Sequence, residues 1–550
     1  MRCDEFISRY DLENAVCLDE RLVLVKAENT TEVSEKLLSL SPRYSTCVGI
    51  DYRPINRSYL VHHVLALDKY GLYLVLEARA HDPDPVVESI TNLFPAANWH
   101  EREVMDMLGI KFIGHPEPYR LILPDDWPEK VYPLRKDYPY DRKPVELAEI
   151  LERPTPRNYT VSIRRGSSVS EAEIPLGPYH PALHEPEYYE LVIEGERIVE
   201  ARYRGFFVHR GMEKLAESRL TVNQVAFLAE RICGICGYTH ATAYCQAVEE
   251  AADIEVPARA EYIRGILLEI ERLHSHLLWF GVAFHLLGFD TGFMATWRLR
   301  EKIMDLAELL TGNRKTYGLN LVGGVRRDID ESKAHAVLEA LDFIEEKFKK
   351  LVRLVMGMHE IIARTKNIGI LTREDAKKLG AVGPHARASG LDIDVRRDCP
   401  YAAYKYVDVS VPVMDGCDVL SRILVRFEEI IESVRLIRVF LREMPKGGLM
   451  AEYDDIPGLR IGIGVTEAPR GEDIHYVVTG RENKIYRWRP RAPSYMNLAT
   501  VPHMLVGEKL ANAPIIIASI DPCFSCTDHV VVIDRSSRKK IPLEKALRET

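Results

Sequence analysis

Runs of apolar residues predict strands in the first part of the chain and helices further on. Three early runs are rich in Val, Leu and Tyr, as strands are: 21–27, 58–67 and 71–79. Residues 31–40 and 84–94 repeat their apolar positions at helical spacing, so we predict helices there. Together these elements predict a small α+β domain over residues 1–140.

A proline-rich segment separates this domain from a different pattern. Residues 124–156 hold many prolines and charges, which favours an extended tether, and we assign the linker to residues 141–164. A β-rich stretch at 187–205 then leads into long amphipathic patterns. These helical patterns cover 260–280, 299–311, 332–365 and 417–442. The predicted fold class is α+β, with a large, mostly helical domain at 165–550 that has a minor β lead-in.

The composition is that of a globular protein. Of 550 residues, 46% are apolar and 28% are charged, and the net charge of −9 is spread along the chain. No block of like charge indicates a nucleic-acid surface, so we expect no nucleic-acid partner. No apolar run reaches the roughly 18 residues of a membrane span, and residues 1–12 lack the apolar core of a secretory signal. We therefore expect a cytoplasmic protein.

Two Cys-x-x-Cys motifs carry the candidate chemistry. Cys233 and Cys236 lie in ERICGICGYTH, and Cys523 and Cys526 lie in DPCFSCTDH. Each motif lets two thiolates converge on one metal, and two motifs together are typical of a four-sulfur site. The ligand chemistry alone leaves zinc, an iron–sulfur cluster, a nickel or iron centre, and coincidence open. The other cysteines show no ligand spacing, and we interpret them as isolated residues: Cys3, Cys17, Cys47, Cys245, Cys399 and Cys417.

Residues 165–550 resemble the large subunit of nickel–iron hydrogenases, in the energy-converting branch that is related to complex I. Both cysteine motifs match that family, and six more segments follow in family order: GPYHPALHEPEYYELVIEGE, FVHRGMEKLAE, ERLHSHLLWFG, GPHARASG, EAPRG and LVGEKLANAPIII. Residues 1–145 resemble the 30-kilodalton subunit of complex I through EREVMDMLGIKFIGHPEPYRLIL and PLRKDYP. Fusion of the two parts is similar to the formate-hydrogenlyase type of large subunit.

The resemblance implies a nickel–iron centre held by the four cysteines. Cys233 and Cys523 would be terminal nickel ligands, and Cys236 and Cys526 would bridge nickel and iron. The iron would also hold carbon monoxide and cyanide ligands. Soft thiolates suit both metals.

The resemblance also implies roles for residues around the metals. His240 would hydrogen-bond a bridging sulfur, and Arg470 in EAPRG would overhang the metals. Pro469 and Thr500 would line the diatomic ligands. Glu185 would relay protons from a terminal cysteine, which makes it, with Arg470 and His240, a candidate catalytic residue.

One position departs from the pattern of many relatives. They carry Asp where this chain has Ser275 in LHSH, and that Asp holds the overhanging arginine. A serine has no charge to pair with the guanidinium of Arg470. We therefore expect Arg470 to be oriented by another group.

Two further expectations concern the end of the chain. Glu213 and His529 match positions that bind a small structural cation, magnesium or iron, beneath the centre in other nickel–iron hydrogenases. In many relatives a maturation endopeptidase cuts the chain just after the residue that matches His529. We therefore expect residues 530–550 to be a tail that is removed.

We predict the catalytic subunit of a membrane-associated hydrogenase that reversibly reduces protons to dihydrogen. Its electrons require a small iron–sulfur subunit and a ferredoxin-like electron-transfer subunit, because this chain has no further cysteine cluster. The resemblance implies membrane-arm subunits that hold the complex on the inner face of the cell membrane. Two alternatives stay open: a quinone-reducing complex-I-like subunit and a zinc-stapled scaffold.

Overall fold

A small sheet domain and a larger, mostly helical region make up the chain, which confirms the predicted α+β class. The structure is a computed structural model, and it describes residues 3–10, 12–124, 127–140, 161–164, 171–180, 183, 185–207 and 209–527. Most of the predicted linker and the whole predicted tail lie outside the described residues. The last four linker positions, residues 161–164, form a strand.

A five-stranded sheet forms the centre of the N-terminal domain. Its strands are β1 (Ala15–Cys17), β2 (Leu22–Lys26), β3 (Arg43–Asp51), β4 (Ser58–Leu67) and β5 (Leu72–His81). Their order is β1-β2-β5-β4-β3, with β2 and β5 parallel and the other neighbours antiparallel. The helices of the domain are α1 (Cys3–Tyr10), α2 (Thr30–Leu37), α3 (Arg53–Asn56) and α4 (Asn98–Leu108). Strands β2, β4 and β5 and helix α2 confirm four of the predicted elements.

The predicted helix at 84–94 is wrong. Its first part forms strand β6 (Val86–Glu88), which pairs in parallel with β7 (Lys111–Ile113). The loop that follows is tied to helix α4, because the Glu101 carboxylate accepts a hydrogen bond of 2.9 Å from the Ile90 amide. The apolar periodicity within residues 84–94 does not reflect such a contact with a distant side chain, so it predicted a helix incorrectly.

The interpretation of Cys3 and Cys17 as isolated residues is also wrong, because the two form a disulfide. Helix α1 packs beside β1 and brings their Cα atoms to 5.9 Å, within the range that a disulfide bridges. Fourteen positions separate the two cysteines, and neither belongs to a short motif. The pairing therefore depends on packing that spacing does not reveal.

Long helices build the core of the second region. In chain order its helices are α5 (Met212–Arg219), α6 (Val222–Ala229), α7 (Gly237–Ala252), α8 (Ala258–Leu286), α9 (Asp290–Thr311), α10 (Glu331–Met356), α11 (His359–Ala363), α12 (Arg373–Lys378), α13 (Gly383–Arg387), α14 (Val395–Asp398), α15 (Val419–Glu443), α16 (Pro493–Asn497), α17 (Val501–Leu505), α18 (Ala513–Ser519) and α19 (Phe524–Thr527). Helices α8, α9, α10 and α15 confirm the four predicted amphipathic patterns. Phe280 and Phe427 stack between α8 and α15 with ring centroids 4.6 Å apart, and Phe348 of α10 meets both rings.

Three groups of strands accompany these helices. The predicted β lead-in is a four-stranded antiparallel sheet in the order β8-β11-β10-β9. A short pair and a three-stranded antiparallel sheet, β14-β15-β16, follow later in the chain. The bounds are β8 (Val161–Arg164), β9 (Ala172–Leu176), β10 (Tyr188–Glu194), β11 (Arg197–Arg204), β12 (Asn320–Leu321), β13 (Gly324–Val325), β14 (Ile461–Ala468), β15 (Gly471–Thr479) and β16 (Ile485–Arg491).

The three-stranded sheet packs one face directly on helix α7. A Cβ added at Gly462 would lie 1.9 Å from the Ala247 carbonyl oxygen, and one at Gly464 would lie 1.8 Å from the Ala243 oxygen. These distances are far inside van der Waals contact, so β14 approaches the helix only because both strand residues are glycine. The contact fixes β15, the neighbour of β14, beside the first turns of α7.

The other face of the same sheet holds the N-terminal domain. Arg487, Arg489 and Arg491 alternate along β16 and reach the N-terminal domain: the Arg487 Nε donates to the Gly49 carbonyl (2.8 Å), and Arg489 forms a bidentate pair with Glu103. Glu103 belongs to the EREVMD segment that marked the complex-I resemblance. The two domains are therefore joined through buried charged groups.

None of the helices in the described part of the chain is both long and apolar enough to cross a bilayer.

Candidate active site

The two cysteine pairs converge in the folded chain. Cys233 and Cys236 lie just before helix α7. Cys523 directly precedes the short helix α19, and Cys526 lies within it. All four Sγ atoms lie within 4.8 Å of one another, and all four residues are buried. The Cys233–Cys523 sulfurs are 3.2 Å apart, the Cys236–Cys526 sulfurs 3.8 Å, and the Cys523–Cys526 sulfurs 2.50 Å. The structure thus brings together residues that nearly 300 positions separate.

The surroundings of Cys233 favour a thiolate. The backbone amides of Ile235 and Cys236 donate to its Sγ over 3.1 and 3.2 Å. Burial raises the pKa of the Cys233 thiol, but the hydrogen bond with Cys236 and the positive charge of Arg470 lower that pKa to about 6. A cluster of four buried sulfurs, one of them readily ionised, fits the soft metals nickel and iron.

Helix α7 starts at the first residue after Cys236, and a buried carboxylate caps it. Glu271 of α8 accepts hydrogen bonds from the Tyr238 and Thr239 amides over 2.8 and 2.9 Å. These amides have no partner within the helix, so Glu271 satisfies them and complements the helix dipole. Burial raises the pKa of Glu271 to about 7 despite these hydrogen bonds. The cap fixes the start of α7, and with it Cys236.

Arg470 occupies the turn between β14 and β15 and is buried beside the cysteines. Its Nη2 donates to the Asp521 carboxylate over 2.8 Å, and its Nε donates to the Asp521 carbonyl over 2.6 Å. Its Nη1 donates to the Ser275 hydroxyl over 3.2 Å. The group that orients Arg470 in place of an aspartate at position 275 is therefore Asp521.

His240 lies on α7, one turn after Cys236, and it is 1% exposed. Its Nδ1 is 3.0 Å from the Asp473 carboxylate and 3.1 Å from the His475 Nε2. Its Nε2 is buried and has no hydrogen-bond partner among the described residues. The positive charge that His240 can carry lowers the pKa of Cys233, so the imidazole is close to the sulfurs.

Glu185 contacts the second cysteine motif directly. Its carboxylate accepts a hydrogen bond of 2.7 Å from the Ser525 amide, and the Ser525 hydroxyl is 3.6 Å from the Cys523 Sγ. The Glu185 side chain is half-buried. Glu185 therefore lies next to Cys523, on the partly exposed side of the buried centre.

Pro469 and Thr500 are both buried next to elements of the site. Pro469 precedes Arg470 in the same turn. The Thr500 hydroxyl donates to the Asn497 carbonyl over 2.6 Å and lies 2.8 Å from the Nε2 of His385. Asn497 in turn donates to the Arg470 carbonyl over 3.2 Å, so Thr500 belongs to the layer of residues that supports the Arg470 turn.

Glu213, one of the two residues predicted to hold a structural cation, is buried between two arginines. The two Glu213 oxygens accept from Arg487 (2.6 Å) and Arg489 (3.1 Å). Two guanidinium groups therefore supply positive charge beside this carboxylate. His529, the second residue of that prediction, lies outside the described residues.

Reasoning from the sequence did not single out three residues of this centre. Asp521 stands two positions before Cys523, and its place in the motif DPCFSC could have indicated that it lies beside the cysteines. Asp473 and His475 follow Arg470 at three and five positions. Their alternate spacing along β15 puts both side chains on the sheet face that packs on α7.

Comparisons with known proteins agree with this centre. Family models match for the respiratory-chain NADH dehydrogenase 49 Kd subunit at residues 287–459 and 461–529, for the 30 Kd subunit at 23–144, and for nickel-dependent hydrogenase at 210–291. The last match contains the first cysteine pair.

Individual relatives extend over most of the chain. Formate hydrogenlyase subunit 5 of Escherichia coli (strain K12) is 42% identical over 534 residues, which covers 96% of this chain and 92% of that protein. The membrane-bound hydrogenase subunit alpha of Pyrococcus furiosus is 39% identical over 392 residues, covering 68% of this chain and 91% of that one. Among solved structures, the membrane-bound sulfane sulfur reductase, an archaeal respiratory membrane complex, contains a chain with 32% identity and a TM-score of 0.61. The match covers 64% of this chain and 97% of that chain.

The chain belongs to the family of nickel-dependent hydrogenases that are related to complex I. It is a nickel–iron hydrogenase of the kind that serves as the catalytic subunit in membrane-bound complexes. The N-terminal match to the 30 Kd subunit and the 49 Kd match together confirm the predicted fusion.

Proposed function

We propose that the four cysteines hold one nickel and one iron and that the chain there interconverts two protons and two electrons with dihydrogen. The observation that carries the proposal is the convergence of four buried sulfurs within 4.8 Å from two distant motifs. A bound nickel–iron centre supplies the redox chemistry that makes and breaks the hydrogen–hydrogen bond. The protein residues position the metals and move the protons.

The distances between the sulfurs support different ligand roles for the four cysteines. Two contacts join the motifs: the Cys233 and Cys523 sulfurs are 3.2 Å apart, and the Cys236 and Cys526 sulfurs are 3.8 Å apart. We assign the first pair as terminal nickel ligands and the second as the bridge between nickel and iron. The remaining iron positions would take carbon monoxide and cyanide, with Pro469 and Thr500 in the wall beside them.

Glu185 is the proposed proton carrier. The Glu185 carboxylate accepts from the backbone amide of Ser525 (2.7 Å), and the hydroxyl of the same residue lies 3.6 Å from the terminal Cys523 sulfur, so the carboxylate stands one residue away from that sulfur. The half-buried side chain then passes the proton towards solvent. Arg470 holds a fixed positive charge over the sulfurs, where it stabilises negative charge that develops during turnover.

Electrons leave through other subunits. Apart from the four-cysteine group, the described residues contain no cluster of cysteines that would hold an iron–sulfur centre. We propose a small iron–sulfur subunit and a ferredoxin-like subunit as the electron route. Relatives of this chain are named as parts of membrane-bound complexes, so we also propose membrane-arm subunits and a peripheral position on the inner face of the membrane.

The metals and the role of Cys526 are tested together by Cys526→Ser. We expect the purified wild-type complex to contain nickel and iron, and the variant to lose nickel and to evolve no dihydrogen from a reduced dye, because a hydroxyl is a poor ligand for soft metals. Cys417→Ser is the matched control: it removes one sulfur outside the centre, whose Sγ contacts the Asp415 carbonyl (3.4 Å), and should behave as wild type.

Other outcomes identify the alternatives. Zinc in place of nickel and iron would support the scaffold. Quinone reduction by a protein without these metals would support the complex-I-like subunit. Full hydrogen evolution by Cys526→Ser would refute the ligand assignment.

We also propose that a maturation endopeptidase removes residues 530–550, so that the active chain ends at His529. The polar, basic composition of this tail supports a segment that is separable from the core. Intact-mass measurement of nickel-loaded, active protein decides the question, and a mass that includes the tail would contradict the proposal.

A further inference from the structure

Arg210 connects the backbones of the two cysteine motifs. Its Nη1 donates to the Arg231 carbonyl over 2.8 Å, and its Nη2 donates to the Ile232 carbonyl over 2.6 Å. The same Nη2 donates to the Ser525 carbonyl over 2.7 Å. Ile232 directly precedes the first motif, and Ser525 lies between the two cysteines of the second motif. One guanidinium therefore spans two segments that nearly 300 positions separate.

The three carbonyls lie at helix ends. Arg231 and Ile232 follow the end of helix α6, and Ser525 belongs to helix α19, which is a single turn. The last carbonyls of a helix have no partner within it and carry a partial negative charge. A guanidinium is permanently charged and offers several N–H groups in one plane, so it can satisfy carbonyls of two helices at once.

Arg210 extends from an element that is itself held in place. Gly211, which separates Arg210 from helix α5, has a φ of 64° in the left-handed region, so the chain turns sharply there. In the first turn of α5, Glu213 accepts hydrogen bonds from Arg487 (2.6 Å) and Arg489 (3.1 Å) of strand β16. These contacts tie the start of α5 to the three-stranded sheet, which gives the guanidinium a fixed base, as a positioning role requires.

The second cysteine motif is anchored differently at its two ends. At the first end, the Cys523 amide donates to the Ser494 hydroxyl over 3.0 Å. At the other end, the Ser525 carbonyl belongs to the peptide bond that leads to Cys526, and this carbonyl accepts from Arg210. Arg210 therefore acts on the half of the motif that contains Cys526.

We propose that Arg210 is a positioning residue that clamps the second cysteine motif against the first and so retains nickel in the site. The clamp acts through the backbone of both motifs and keeps the Cys526 sulfur near that of Cys236, 3.8 Å away. This proposal rests on the proposed function, because a metal that is bound between the motifs leaves when they separate.

The test measures nickel release from the purified complex in excess EDTA. Arg210→Met keeps the length of the side chain but removes every N–H donor. We expect nickel to leave this variant about 10-fold faster than wild type, because one hydrogen bond from a charged donor contributes about that factor. Arg197→Met is the matched control: Arg197 is also exposed and donates to the Gly507 carbonyl over 2.9 Å, outside both motifs, so its release rate should match that of wild type.

Alkylation of cysteines by iodoacetamide, located by mass spectrometry on the same samples, separates local opening from unfolding. In Arg210→Met we expect Cys526 to react faster than in wild type, because its half of the motif has lost its anchor. Cys47 and Cys399 are buried outside the centre, at 2% and 6% exposure, and should react at the wild-type rate. A general structural role would raise the reactivity of all three cysteines.

Arg210→Lys keeps the test decisive if the Met variant does not assemble. Lysine retains the positive charge, but its ammonium is a compact donor that does not span both motifs as a planar guanidinium does. We therefore expect nickel release about 3-fold faster than wild type.

Three results would count against these proposals. Wild-type rates of nickel release and Cys526 alkylation in Arg210→Met, or in Arg210→Lys where the Met variant does not assemble, would remove the positioning role. Equal increases in the alkylation of Cys526 and Cys47 would show general unfolding and overturn the clamp. A wild-type complex without nickel would overturn the proposed function itself, whereas the alkylation rates would still test whether Arg210 holds the two motifs together.

Discussion

Replacement of Asp521 by Asn separates the charge of this residue from its shape. Asp521 is the acidic residue that pairs with the buried guanidinium of Arg470, at 2.8 Å. Its φ of 57° lies in the left-handed region, which Asn tolerates better than most residues, so the backbone of the cysteine motif is kept. The Asp521 carbonyl also keeps its hydrogen bond with the Arg470 Nε. The variant therefore removes the negative charge and little else.

The expected loss follows from the contacts of Arg470. Removing one partner of a buried ion pair costs about 3–5 kcal/mol, because the other charge stays buried. Asn still accepts a hydrogen bond, so we take the lower end, about 3 kcal/mol. If that loss appears in the transition state, hydrogen evolution falls about 100-fold. Ser275→Ala removes only a neutral hydrogen bond of 3.2 Å, worth about 1 kcal/mol or a factor of about five.

The assay is hydrogen evolution from a reduced dye, with nickel and iron content measured on the same samples. The double variant Asp521→Asn with Ser275→Asp returns a carboxylate to the opposite side of the guanidinium, so we expect part of the lost rate to return. A larger effect for Ser275→Ala than for Asp521→Asn, or a wild-type rate in Asp521→Asn with full metal content, would refute the reasoning.

Two further predictions address proton transfer and acid stability. Glu185→Gln should keep both metals but slow hydrogen–deuterium exchange about 100-fold or more, because an amide holds the Ser525 contact without carrying a proton; unchanged exchange would exclude the relay. Burial acts to raise the pKa of Glu472, but the positive charges of Arg43 and Arg491 hold that pKa well below its usual value of 4.5. The ionised Glu472 carboxylate therefore stabilises the folded state fully above about pH 4.5, and this stabilisation is lost as the pH falls further. Urea unfolding of wild type should therefore weaken more steeply between about pH 5 and pH 3 than that of Glu472→Gln, and equal slopes would contradict this assignment.

The N-terminal domain contacts the second region through buried ion pairs, whereas the sequence predicted a docking domain on a tether. The sequence predicted a separate domain and a linker, and it gave no reason to expect that Glu103 would meet Arg489, nearly 400 positions away. Alternate arginines along β16 read as a solvent-exposed strand face when the strand is taken alone. Only the placement of the N-terminal domain on this face explains why three arginines are buried there.

The sequence by itself determined the class of the protein and the four cysteines that converge at its centre. Each Cys-x-x-Cys motif brings its own two cysteines together by local geometry, and long amphipathic patterns define helices. Both signals depend only on neighbours along the chain. Tertiary structure alone decided which groups surround that centre. Asp521 replaces the missing aspartate at position 275, Asp473 and His475 lie beside His240, and Cys3 pairs with Cys17. Spacing along the sequence does not predict any of these contacts. Each exists because packing brings distant elements to within a few ångströms of each other.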